Sequence, residues 1–202
     1  MIISQSQNDE QTRVTKHEAG HYIVNRAFGY VPTTISLTYN KVTYGYSGGC
    51  EVTYYTIYQK RRDLVDFCKK RCIILLSGSV AGALNSATNK VDIIKAWKDF
   101  NSETGLNDKI KYDVIMNFYI NFRFGYIKKH KIYNPIKYFN EEFMKEAVKM
   151  VEENLKFING IGNRLLSEIN RQLPTNGDVV LDYTDFNKMP SITKEFGKGF
   201  PI

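Results

Sequence analysis

No stretch of this 202-residue chain approaches the roughly 20 apolar residues of a membrane span. Its first residues, Met1-Ile2-Ile3-Ser4-Gln5-Ser6-Gln7, lack the charged head and apolar middle of a secretory signal. A cytosolic location is therefore expected. Cysteine is scarce, with three in all. Cys50 stands alone, while Cys68 and Cys72 have the spacing of one helix face rather than of a metal ribbon or a redox pair. Buried free thiols are the plainer reading. No internal repeat or linker divides the chain, so one domain over 1–190 with a tail over 191–202 is expected. No G-x-x-x-x-G-K-[ST] phosphate loop occurs in these residues. Histidine is as scarce as cysteine, again three, and that scarcity makes the placement of the histidines informative.

What is present in excess is positive charge and aromatic rings. The formal charge is +7, and there are 14 Tyr and 12 Phe. Lys and Arg are scattered, and the short runs Lys60-Arg61-Arg62 and Lys128-Lys129-His130-Lys131 match no nucleic-acid-binding pattern. A solvated basic surface is the simpler account, and nucleic-acid binding would rest on charge alone.

Two of the three histidines fall in Thr15-Lys16-His17-Glu18-Ala19-Gly20-His21. On a helix His17 and His21 lie one turn apart on one face. Two imidazoles so placed can hold one tetrahedral Zn²⁺. Glu18, next to the first histidine, can reach a water there without itself ligating the metal. This is the H-E-x-x-H pattern of zinc peptidases. The competing reading is a surface helix that happens to carry two histidines.

The flanks support a helix over 8–28. Asn8 or Asp9 can cap it, Gly29 suits the position just past its end, and Pro32 blocks continuation. Strands are expected over 33–39, 42–46 and 51–58, the last two split by Ser47-Gly48-Gly49; they form a small hairpin whose edge could pair with an extended peptide. Residues 60–84 read as a helix with Leu64, Cys68, Cys72 and Leu75 in one stripe, ending in small residues. A helix over 90–102 opens near Asp92 with Ile93, Ile94, Trp97 and Phe100 inward. Another spans 108–124. A long one is capped by Asn140 and broken or bent near Gly160 and Gly162, with continuation from Arg164 to Leu173 until Pro174. Residues 178–187 read as a short terminal element. The fold class is mainly α with a small β-sheet.

A catalytic zinc site needs a third protein ligand and an open fourth position. His130 sits among lysines, whose charge opposes a cation. Asp63, Asp66, Asp92, Asp99, Asp108 and Asp113 are formal candidates, with Asp92 best placed at a helix start after the small-residue segment.

The chain resembles the peptidase domain of the FtsH family of ATP-dependent zinc metallopeptidases. His17-Glu18-Ala19-Gly20-His21 matches that family's zinc motif letter for letter. Ile35 to Tyr46, ending in Gly45-Tyr46, is similar to the strands that follow it. Ser77-Gly78-Ser79-Val80-Ala81-Gly82-Ala83-Leu84 is similar to the family's Gly-Gly-Arg-Ala-Ala-Glu-Glu-Leu helix, with Gly82 and Ala83 in place of its two glutamates. Thr88-Asn89-Lys90-Val91-Asp92-Ile93 is similar to the segment bearing the third zinc ligand, with one extra residue before Asp92. Glu146 to Ile169 is similar to the C-terminal helical pair. The resemblance covers roughly residues 12–187 and implies an FtsH-peptidase-like helical domain holding zinc through His17, His21 and Asp92, with Glu18 as general base. It implies hydrolysis of peptides or unfolded protein segments, with a separate ATPase or a homo-oligomer as possible partners. The rival from another class is a catalytically silent zinc-binding interaction or regulatory module.

Overall fold

The computed structural model describes residues 5–40, 45–53, 60–85, 87–172 and 179–182. Helices dominate and the sheets are small, so the fold class is mainly α, as expected. The chain forms two compact units: Met1–Tyr54 with Asn154–Ile202, and Tyr55–Glu153.

The first unit is built on α1 (Gln5–Ala27). Its end is set as the sequence requires. Gly29 takes φ +81°, and the amides of Gly29 and Tyr30 return to the carbonyls of Arg26 and Asn25, closing a Schellman motif. Then β1 (Val31–Asn40) runs antiparallel to β2 (Gly45–Thr53) and to β5 (Val179–Asp182), in the order β2-β1-β5. Ile35 and Leu37 are buried while Thr38 is exposed, the alternation of a half-buried strand. The two strands expected over 42–46 and 51–58 are instead one strand that runs through Ser47-Gly48-Gly49. Cross-strand pairing with Ser36, Leu37 and Thr38 holds those residues extended, so the glycines do not end the element. Residues 41–44 and 54–59, where the turn and the end of the expected last strand fall, lie outside the described residues.

Helix α7 (Leu155–Gln172) packs on α1 and also corrects an expectation. It is continuous through Gly160 and Gly162. Its stripe of Ile158, Ile161, Leu165 and Ile169 is buried, and at about 1.5–3 kcal/mol per side chain this outweighs the roughly 1 kcal/mol helix cost of each glycine. Gly162 stands beside α1: a Cβ there would lie 3.5 Å from Lys16 Cγ. The chain breaks instead at Asn154. Pro174 and the tail over 191–202 lie outside the described residues.

The second unit is organised on α2 (Arg61–Gly82), buried at every position from Cys72 to Gly82. Helices α3 (Ile93–Phe100), α4 (Leu106–Phe122) and α6 (Pro135–Glu153) pack on it, and α5 (Phe124–Lys129) follows α4. Between α2 and α3, β3 (Leu84–Asn85) pairs with β4 (Lys90–Val91). This small hairpin takes the residues expected to open α3. Ile93 and Ile94, expected inward, are 45% and 84% exposed, while Ala96 and Phe100 are buried; the packing of α3 on α2 decides which face turns inward. Helix α4 starts two residues early and leaves Phe118 exposed, with Tyr112, Met116 and Tyr119 inward. Asn134, not Asn140, caps α6: its Oδ1 accepts from Lys137 N at 3.0 Å, and Pro135 occupies the first turn. Asn140 Oδ1 accepts from Tyr112 OH at 2.7 Å instead.

Candidate metal centre

The middle of helix α1 is buried on all sides. From Val14 to Arg26 only His17 is more than marginally exposed. Among the described residues, seven of the ten buried polar side chains lie on it: Gln11, Thr15, Lys16, Glu18, His21, Asn25 and Arg26. Burying polar groups is costly unless each finds a partner, so such a concentration is not the surface helix of the competing reading. Some of the partners are local. Asn25 Nδ2 donates to His21 O at 2.8 Å, Thr15 Oγ1 to Thr12 O at 3.0 Å, and Arg26 to Tyr22 OH at 3.3 Å.

The helix brings His17 and His21 together. Their Nε2 atoms are 3.1 Å apart, with ring centroids at 4.7 Å and planes at 81°. Two nitrogens bound to one tetrahedral zinc at ~2.0–2.1 Å are separated by about 3.3 Å, so the pair has the geometry of a chelate. Glu18 projects to a different side of the same turn and is 4% exposed. Its carboxylate lies against Gly48 of β2, where an added Cβ would come within 2.7 Å of Glu18 Cγ and Cδ. The register explains the contact. Leu37 pairs with Gly48, so Gly48 shares the face of the sheet that Leu37 buries, and only glycine leaves room for the carboxylate. Two residues earlier on the same face, Tyr46 OH accepts a short hydrogen bond from Gln11 Nε2. Sequence reasoning missed both Gly48 and Gln11; no motif marks them, because only the strand register brings Gly48 against Glu18 and Tyr46 against Gln11.

Asp92, expected as third ligand, belongs to the second unit. It caps α3, with Oδ1 accepting from Lys95 N at 3.0 Å, and its amide donates to Ala83 O at 3.1 Å. Glu152 fixes the strand before it: Oε2 meets Lys90 Nζ at 3.0 Å and Oε1 accepts from Val91 N at 3.2 Å. The Lys90 hydrogen bond foremost, then the Val91 amide, hold the Glu152 carboxyl below its usual pKa. His17 and His21 offer two ring nitrogens that could hold a metal ion together with a carboxylate. Asp108, one of the formal candidates, stands in the first turn of α4. His130 is exposed and closes α5 with its ring over Tyr126. Cys68 and Cys72 are buried and free, and burial pushes both thiols up in pKa, which disfavours the thiolate that metals and electrophiles require.

Fold and site together define a mainly helical protein with a histidine pair fit to bind a metal. No described helix is long and apolar enough to cross a membrane. Compared with protein-family models, curated proteins and solved structures, the chain matches none.

Proposed function

We propose that the protein is a zinc-dependent endopeptidase, akin to the peptidase domain of the FtsH family, acting on peptides or unfolded protein segments. The observation that carries this reading is the His17–His21 pair, with Nε2 atoms 3.1 Å apart, in a buried polar helix that also supplies Glu18. His17 and His21 would hold the metal, and the third ligand is a carboxylate, from Asp92 or Asp108. Bound there, Zn²⁺ would polarise the scissile carbonyl and acidify water. Glu18 accepts the proton of the attacking water and returns it to the leaving amine. Gly48 leaves the room that the Glu18 carboxylate occupies.

The test uses protein produced with ample zinc. It is expected to bind about one zinc per chain and to cleave casein or an unstructured peptide. Glu18→Gln is expected to keep the metal and lose at least about 10²-fold in kcat, within the usual range for a general base. His17→Ala is expected to lose the metal. Of Asp92→Asn and Asp108→Asn, the true ligand is the one whose loss weakens zinc binding. A Glu18→Gln variant as active as the parent removes Glu18 from the chemistry. A parent chain that binds zinc but cleaves nothing makes the site that of an interaction module.

A further inference from the structure

Helix α2 opens with cations at the end where they are least favoured. Arg61 and Arg62 occupy its first turn after Lys60, beside the positive pole of the helix. Asp63 is the only acid there; its Oδ2 accepts from Lys60 N at 3.0 Å and its Oδ1 lies 3.5 Å from Arg62 Nε. Arg61 folds across to the end of α4. It donates to Phe122 O at 2.6 Å, and its guanidinium lies 5.9 Å from the centre of the Phe122 ring. The next residue, Arg123, lays its guanidinium over Tyr126 at 4.1 Å. Its Nε is buried with no hydrogen-bond acceptor among the described residues. Neither Arg61 nor Arg123 has a carboxylate within ion-pair distance among the described residues.

These three arginines and Lys69 line one cleft of about 490 Å³ in the second unit, with Tyr119 and Phe122 in its wall. The acids that share it are already engaged. Asp66 pairs with Lys70 at 2.7 Å, and Glu142 lies 3.6 Å from Lys69 Nζ. The Phe122 carbonyl takes one Arg61 N–H and the Tyr126 ring lies under the Arg123 guanidinium, and each planar fork carries further N–H donors. Such forks match phosphate oxygens, and the cleft, though open to solvent, has room for a small anion. An anion there would also meet the N-terminal pole of α2.

We propose that this cleft binds a phosphate group, free or carried by a small organic molecule, through Arg61, Arg62 and Arg123. The inference is independent of the metal centre. It is tested by calorimetric titration of the full chain with inorganic phosphate and, separately, with AMP, in a phosphate-free buffer. Saturable one-site binding is expected, weakened at least tenfold by Arg123→Gln and by Arg62→Gln, whose side chain is 80% exposed and can be replaced without disturbing packing. Arg123→Lys should recover part of the loss. Lys128→Gln, outside the cleft, and His17→Ala should leave affinity unchanged. Tighter binding of AMP assigns the cleft to an organic phosphate, and equal affinities assign it to phosphate itself. Absence of saturable binding, or an equal loss in Lys128→Gln, overturns the proposal, as does a loss confined to His17→Ala, which would place the anion at the histidines.

Discussion

Helices α1 and α2 are of nearly equal length, 23 and 22 residues, and each forms the centre of its own unit. Their interiors are opposite in kind. The buried run of α2, Cys72 to Gly82, is apolar or small, and its buried Ser77 donates to Ile74 O at 2.6 Å within the same helix. The buried run of α1 carries Lys16, Glu18, His21, Asn25 and Arg26. Burial stabilises α2 through removal of apolar surface from water. For α1 the same burial costs solvation at each polar group and must be offset by partners. On the function proposed above, the polar interior of α1 serves chemistry and the apolar interior of α2 serves packing.

The contrast can be broken most strongly from the side of α2. Leu76→Ala empties a fully buried position and is expected to cost about 2–5 kcal/mol of stability, read by urea unfolding, with zinc bound per folded chain unchanged. A fall in zinc affinity of the folded variant would show that the two helices do not divide the roles.

From the side of α1 the sharpest probe is Gly48→Ala. The new methyl displaces the Glu18 carboxylate rather than backbone, so peptide cleavage should fall by roughly ten- to a hundredfold, about 1.4–2.7 kcal/mol of barrier. Unfolding midpoint and zinc content should barely move. Full activity would mean that the carboxylate need not sit against β2.

The smallest effect is expected at Glu152, which ties β4 to α6. Glu152→Gln should cost under about 1 kcal/mol, as for exposed ion pairs. The carboxyl is held below its usual pKa in the folded chain. Its contribution is therefore complete above the ordinary glutamate value near pH ~4.3 and is lost as pH falls through the lowered one. Stability curves of parent and variant should converge in acid and separate towards neutral pH. Curves parallel at all pH values would show that the charge of Glu152 contributes nothing.

Much of this architecture was legible in the residues. Gly29 and Pro32 ended α1 where the Schellman motif closes, and the Leu64–Cys68–Cys72–Leu75 stripe marked α2, because both signals are local. The errors arose where local preference met tertiary packing. Gly48-Gly49 and Gly160 with Gly162 read as breaks, but strand pairing and the Ile158–Leu165 stripe overrode them. Asn140 reads as the cap of α6, but Asn134 fills that place and the bond from Tyr112 engages Asn140 instead. Ile93 and Ile94 read as inward, but the packing of α3 on α2 buries Ala96 and Phe100 instead.

The sequence by itself determined the histidine pair and its neighbouring glutamate, since a helical repeat of 3.6 residues fixes which side chains share a face one turn apart. It also determined the mainly helical class. Only the tertiary structure decided that α1 is buried with its polar residues inside, that Gly48 lies against Glu18, and that Arg61 and Arg123 share one cleft. Those relations join residues 30 to 62 positions apart, and no periodicity within a single element encodes the register or the packing that brings them together.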